Sequence, residues 1–111
     1  MIGSADFQPI LNANPSIEAI FRMSRDGLPL HGLTRTGGKV DEVVSIAAGL
    51  FSSALELGLA RNDDNARLFI GAGHGSLFIR AEKEKTLLLV LATGQSTERQ
   101  IEAMIDGNGK N

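Results

Sequence analysis

The sequence contains no cysteine, tryptophan or tyrosine. Without cysteine there can be no disulfide framework, thiol nucleophile or cysteine-ligated zinc, and such a chain suits a reducing compartment. With only five Phe as aromatics, it lacks the stacking platforms on which single-stranded nucleic acid is bound. Charge of one sign is scarce too. Eleven Lys and Arg stand against thirteen Asp and Glu, a formal net charge of -2, so no overall basic field attracts nucleic acid or anionic lipid. Long apolar runs are missing: the longest, Leu87 to Ala92, falls far short of the ~20 residues that cross a bilayer. The opening Met1-Ile2-Gly3-Ser4-Ala5-Asp6 has neither the basic region nor the apolar run of a secretory signal. The expectation is a soluble, cytoplasmic protein with no nucleic-acid partner and no direct membrane insertion.

What is present is an ordinary globular composition, 42% hydrophobic and 22% charged over 111 residues, the size of one domain. Residues 1–111 read as a single domain, with 1–4 and 107–111 expected to fray. In Ala5 to Asn14, Phe7, Ile10 and Leu11 recur at helical spacing. Ile17 to Met23 reads as a strand with Ile17, Ala19, Phe21 and Met23 on one face and Glu18, Ile20 and Arg22 on the other. Asp26-Gly27 between apolar runs signals a hairpin. In the return strand, Leu28 to Leu33, Pro29 cannot donate to a ladder and so points to a sheet edge.

The longest element is a helix over Val40 to Ala60, with an apolar stripe of Val40, Val43, Val44, Ala47, Leu50, Phe51, Ala54, Leu55 and Gly58. Small residues, Ala48, Gly49, Ser52 and Ser53, lie beside it and allow close approach by another backbone. Ala66–Gly71 and Ser76–Glu82 read as strands joined by a tight turn at Gly73-His74-Gly75. Lys83-Glu84-Lys85 is a charged turn. Thr86–Thr93 is a strand whose core does not alternate, so it needs cover on both faces and belongs in mid-sheet. Ser96 or Thr97 caps a last helix burying Ile101, Met104 and Ile105. The order is α-β-β-α-β-β-β-α, an α+β fold: an antiparallel sheet with the long helix on one face and two short helices on the other.

From about Phe7 to Met104, that order resembles the Roadblock/dynein light chain 7 family, whose relatives are longin and profilin-like domains. The resemblance is carried by the Asp26-Gly27-Leu28-Pro29-Leu30 hairpin, the helix beginning Val40-Asp41-Glu42, and the late apolar strand Leu87–Ala92 leading into a short helix. It implies a sheet order of 2-1-5-4-3 and a homodimer in which the Ala66–Gly71 edge pairs with its copy while the long helices lie side by side. On that basis the dimer interface falls on Arg67, Leu68, Phe69 and Ile70 of the edge and on Ala48, Phe51, Ser52 and Leu55 of the helix. Family members bind small Ras-like GTPases, some as GTPase-activating proteins, or act as adaptors. The partner-binding positions then expected are Arg35, Lys39, Glu42, Ser45, Ser52 and Glu56.

Motifs of catalysis are faint. Gly32 to Val40 resembles a phosphate loop with one residue too many and with Val40 where Ser or Thr would hold magnesium. A flexible glycine turn is the simpler reading. His31 and His74 have no neighbouring ligand set. Asp63-Asp64 reads as a solvated turn, and the helix serines lack a nucleophile context. Arg25, at a hairpin tip, could serve as an arginine finger but reads more simply as a turn residue. The expectation is a non-catalytic regulator or scaffold without metal or cofactor. The alternative is a profilin-like or PAS-like small-ligand sensor, which would need a roomy pocket.

Overall fold

The computed structural model describes residues 3–35, 40–82 and 85–107. A 3-10 turn, Ser4–Asp6, leads into α1 (Phe7–Ala13), followed by β1 (Ile17–Ser24), β2 (Pro29–Thr34), α2 (Val40–Glu56), β3 (Arg67–Gly71), β4 (Gly75–Ala81), β5 (Thr86–Thr93) and α3 (Glu98–Gly107). The five strands form one antiparallel sheet in the order β2-β1-β5-β4-β3.

The non-alternating strand explains the layering. β5 sends Leu88, Val90 and Ala92 to one side, where they meet Phe7, Ile10 and Leu11 of α1 and Ile101 and Ile105 of α3. It sends Leu87 and Leu89 to the other, where they meet Val44, Ala47 and Phe51 of α2. All five of Leu87 to Val90 and Phe51 are 2% exposed or less, so the sheet is covered on both faces at its centre.

One strand departs from simple alternation. Ala19, Phe21 and Met23 face α2, but Ile17 lies with Ile20 on the α1 side. The register against β5 shifts between Ile17 and Ala19, and this bulge turns Ile17 over. The expected four-residue face therefore loses its first member.

Local chemistry sets the ends. Gly27, at φ 90°, closes the β1–β2 hairpin, where its N–H donates to Ser24 O at 3.1 Å. A Cβ there would lie 2.9 Å from that of Ala48, so the hairpin tip rests on α2. α2 stops at Glu56 rather than Ala60 because Gly58 is left-handed at φ 75°. Gly58 N–H donates to Leu55 O at 3.1 Å and Leu59 N–H to Ala54 O at 2.8 Å, the paired bonds of a glycine helix cap. α3 begins with a reciprocal box: Gln100 N–H donates to Thr97 Oγ1 at 3.2 Å and Thr97 N–H to Gln100 Oε1 at 2.8 Å. Thr97, not Ser96, is the cap.

α3 is also held by charge. Glu98, Glu102 and Asp106 recur every four residues, one row of a helix. They meet the cross-strand pair Arg67 and Arg80: Arg67 pairs with Glu98 at 3.4 Å and with Glu102, and Arg80 with Asp106 at 2.8 Å. The hydrogen bond to Asp106 raises the Arg80 guanidinium above its ordinary value against the opposing pull of burial. A raised basic group stabilises the fold below its unfolded pKa, so this contribution is constant throughout the working pH range. Among the described residues, no helix is long and apolar enough to cross a membrane.

Candidate docking surfaces

The residues expected at an interface divide into three sets. Those on β3 are accessible. Ile70 is 38% exposed, Leu68 and Phe69 are half-buried, and Arg67 is exposed but engaged by α3. β3 has β4 on one side and is a sheet edge on the other.

The α2 set is mixed. Ser52 is exposed and Leu55 half-buried, but Phe51 is 2% exposed and Ala48 9%. Phe51 belongs to the chain's own core and Ala48 lies against Gly27, so neither is available to a second copy; the helix turns them to its own sheet and hairpin. Leu50, expected in the core stripe, is instead 39% exposed, and Ile46, Leu57 and Leu59 are 62%, 73% and 72% exposed. Ile46 and Leu50 lie about 160° around the helix from Ala48, at 100° per residue. Because Ala48 faces the β1–β2 hairpin, these two lie toward the β4–β3 side. The sheet there carries Leu68, Leu77 and Leu91, each only partly buried. Ile70, Leu77 and Leu91 line an open depression of about 450 Å³. Exposed apolar side chains thus stand on α2, at Ile46 and Leu50, and on the β3 edge, at Ile70. The sequence signal on α2 was an Ile and a Leu at helix positions outside the buried arc.

The partner-binding set lies elsewhere. Glu42, Ser45, Ser52 and Glu56 are all exposed along α2. Arg35 is not a free contact. Its Nη2 donates to Leu11 O at 2.7 Å, Ile17 O at 2.8 Å and Asn14 O at 3.2 Å, and its Nε to Ile17 O at 3.1 Å. Its guanidinium ties the end of α1 to the start of β1. Lys39 lies outside the described residues, as do three residues of the glycine turn before it. Arg25 is likewise committed, donating to Asn62 Oδ1 at 2.9 Å and Asp63 O at 3.2 Å. Gly71 to Gly75 is a hairpin turn, with Ala72 N–H donating to Gly75 O at 2.8 Å. No group of three or more metal-ligating side chains occurs among the described residues.

No family model and no curated protein matches the sequence. Solved structures do. The chain is similar to a Roadblock/LC7 domain from Streptomyces avermitilis, at 18% identity and a TM-score of 0.75 over 97% of this chain and 92% of that one. It is similar to MglB of Myxococcus xanthus, at 13% identity and 0.72 over 95% and 86%, and to an MglB in a tetrameric arrangement, at 14% and 0.69 over 99% and 85%. The chain therefore has the Roadblock/LC7 fold. Within that fold its likenesses include gliding proteins of the MglB type, at identities that establish architecture alone.

Proposed function

We propose that this chain is a non-catalytic cytoplasmic regulator or scaffold that works as a homodimer and binds a small Ras-like GTPase, in a GTPase-activating or adaptor role. The observation that carries the proposal is the exposed apolar side chains of Ile46 and Leu50 on α2 together with an open sheet edge at which Ile70 is exposed beside Leu77 and Leu91. Exposed edges and contiguous apolar surface are hazards for a monomer and are what a second copy covers. The family resemblance supports the same edge, and the tetrameric MglB supports assembly as a habit of the fold.

Pairing through these residues leaves the remaining outer arc of α2 for another partner. Glu42 and Glu56 stand 14 residues apart, about 21 Å along the helix, with Ser45, Gly49, Ser52 and Ser53 between them on that arc. From Val40 to Ala60 there is no Lys or Arg. A flat, acidic surface of this kind favours a partner with a basic patch. The ligand-sensor alternative draws less support, since Leu87 to Val90 fill the space between the helices and the depression beside Leu91 is open.

The test is to mix the chain with each Ras-like GTPase of its own genome and follow complex formation by gel filtration and GTP turnover. A complex, weakened by Glu42→Lys and Glu56→Lys with no change in the mass of the free chain, is expected. Absence of both a complex and any effect on hydrolysis would end the proposal.

A further inference from the structure

Resting on the reading that a partner with a basic patch docks on the outer arc of α2, we infer that its footprint runs off the helix onto the tip of the β1–β2 hairpin. There Leu28, Pro29 and Leu30 form the apolar part of the contact. The arc itself offers no apolar side chain: Glu42, Ser45, Gly49, Ser52, Ser53 and Glu56 are polar or bare. A specific protein interface keeps an apolar centre inside a polar rim, so this one takes its centre from a neighbour. Ile46 and Leu50 belong to the homodimer side. On the opposite flank stands the hairpin.

The seat of the hairpin fixes this placement. A Cβ on Gly27 would lie 2.9 Å from that of Ala48. Ala48 lies along the helix between Glu42 and Glu56, about 9 Å from the level of one and 12 Å from that of the other. At 100° per residue, Ser52 stands about 40° around the helix from Ala48, and Glu56 about 80°. The tip therefore borders the arc near its middle. Leu28 follows Gly27 directly and is 63% exposed, Leu30 is 46% exposed, and Pro29 between them is exposed too. Isolated surface leucines are ordinary, but three consecutive apolar residues bared on one tip form a patch.

The tip is also held rigid. Leu28 N–H donates to Ser24 Oγ at 3.0 Å and Ser24 N–H to Leu28 O at 2.9 Å. Arg25 ties the turn to Asn62 Oδ1 at 2.9 Å and to Asp63 O at 3.2 Å. A wedge fixed in advance loses little freedom on binding. Pro29 withholds the N–H that an added strand would need, so the wedge is read through its side chains. Charge points to the same occupant as the arc. Asp26 at the tip and Asp41 on the hairpin side of α2 are exposed, and the one cation of the turn, Arg25, is committed to its own loop. The partner is thus a protein with an apolar socket ringed by basic side chains.

The test titrates the full chain with each Ras-like GTPase of its own genome, loaded with a non-hydrolysable GTP analogue, by calorimetry. Leu28→Ser and Leu30→Ser should each weaken the complex roughly five- to thirtyfold. Both side chains are exposed, so the unfolding midpoint and the mass of the free dimer should not change. Wild-type affinity in both leucine variants, beside a loss in Glu42→Lys, would overturn the extended footprint and leave the docking arc standing. A fall in dimer mass with either leucine variant would overturn it by assigning the wedge to a second copy. No binding by any such GTPase would remove the docking reading and the wedge together.

Discussion

The two edges of the sheet are built differently. β2 is blunted. Pro29 follows Leu28, whose carbonyl bonds inward to Ser24 N–H at 2.9 Å, so Pro29 occupies an outward position, where the sheet does without its N–H and an incoming strand finds no donor. The register then slips between Arg22 and Met23, leaving Leu30 as an extra residue opposite β1. Such a bulge twists an edge away from flat pairing. β3 has neither proline nor bulge, and its register against β4 is unbroken from Arg67 to Gly71. The difference teaches that an open border here is confined to one side, the side where Ile70 is exposed.

The largest expected effect comes from giving β3 the device β2 already has. Ala66 O and Ala72 N–H bond to β4, so by alternation Phe69 turns outward. Phe69→Pro removes an outward N–H from each subunit without costing an inward bond to β4. Two lost hydrogen bonds with their desolvation are worth about 2–4 kcal/mol, a weakening of dimerisation of roughly 30- to 1,000-fold. Sedimentation equilibrium reads it, and an unchanged dissociation constant would separate the dimer from this edge.

A matched glycine pair sharpens the comparison. A Cβ at Gly32 on β2 would lie 1.8 Å from Phe21 Cδ1, and Phe21 is 1% exposed. Gly32→Ala should therefore cost about 1–3 kcal/mol through overpacking, read by denaturant unfolding. Gly71→Ala on β3 meets only the Phe69 ring at 3.3 Å and should cost under about 1 kcal/mol in the same experiment. Equal losses at the two sites would contradict the packing described.

Leu50→Glu should leave the monomer fold intact, since Leu50 is 39% exposed, and weaken the dimer by about 1–3 kcal/mol through loss of apolar cover. Analytical gel filtration across a dilution series checks it. The smallest effect is the reverse of the first: Pro29→Val restores a donor on β2. The bulge at Leu30 remains, so end-to-end association of dimers should rise only slightly, by under about 1 kcal/mol. Light scattering at high concentration would detect it, and a large increase would show that proline alone guards that border.

Much of this architecture was legible from residue order. The Asp26-Gly27 turn, the doubly apolar strand Leu87 to Val90 and the cap at Thr97 each follow from a local rule, and each stands where that rule puts it. Sheet order came with the family resemblance rather than from any single pattern. What was not legible depends on contacts between distant segments. Arg35 was expected at a partner surface through the family resemblance, and its guanidinium donates to carbonyls of Leu11, Asn14 and Ile17, which no pattern near position 35 marks. Phe51 and Leu50 are neighbours on an apolar helix, and only the lie of α2 across the sheet decides that one is buried and the other bare.

The shift in register near Glu18 has a bearing on how the gene can vary. Because Ile17 and Ala19 serve opposite layers, one strand anchors two separate cores through a single spare residue. Deleting that residue would make Ile17 and Ala19 consecutive, and alternation would still send them to opposite faces, so both floors would stand. The strand could thus lose one residue at this point and still serve both layers.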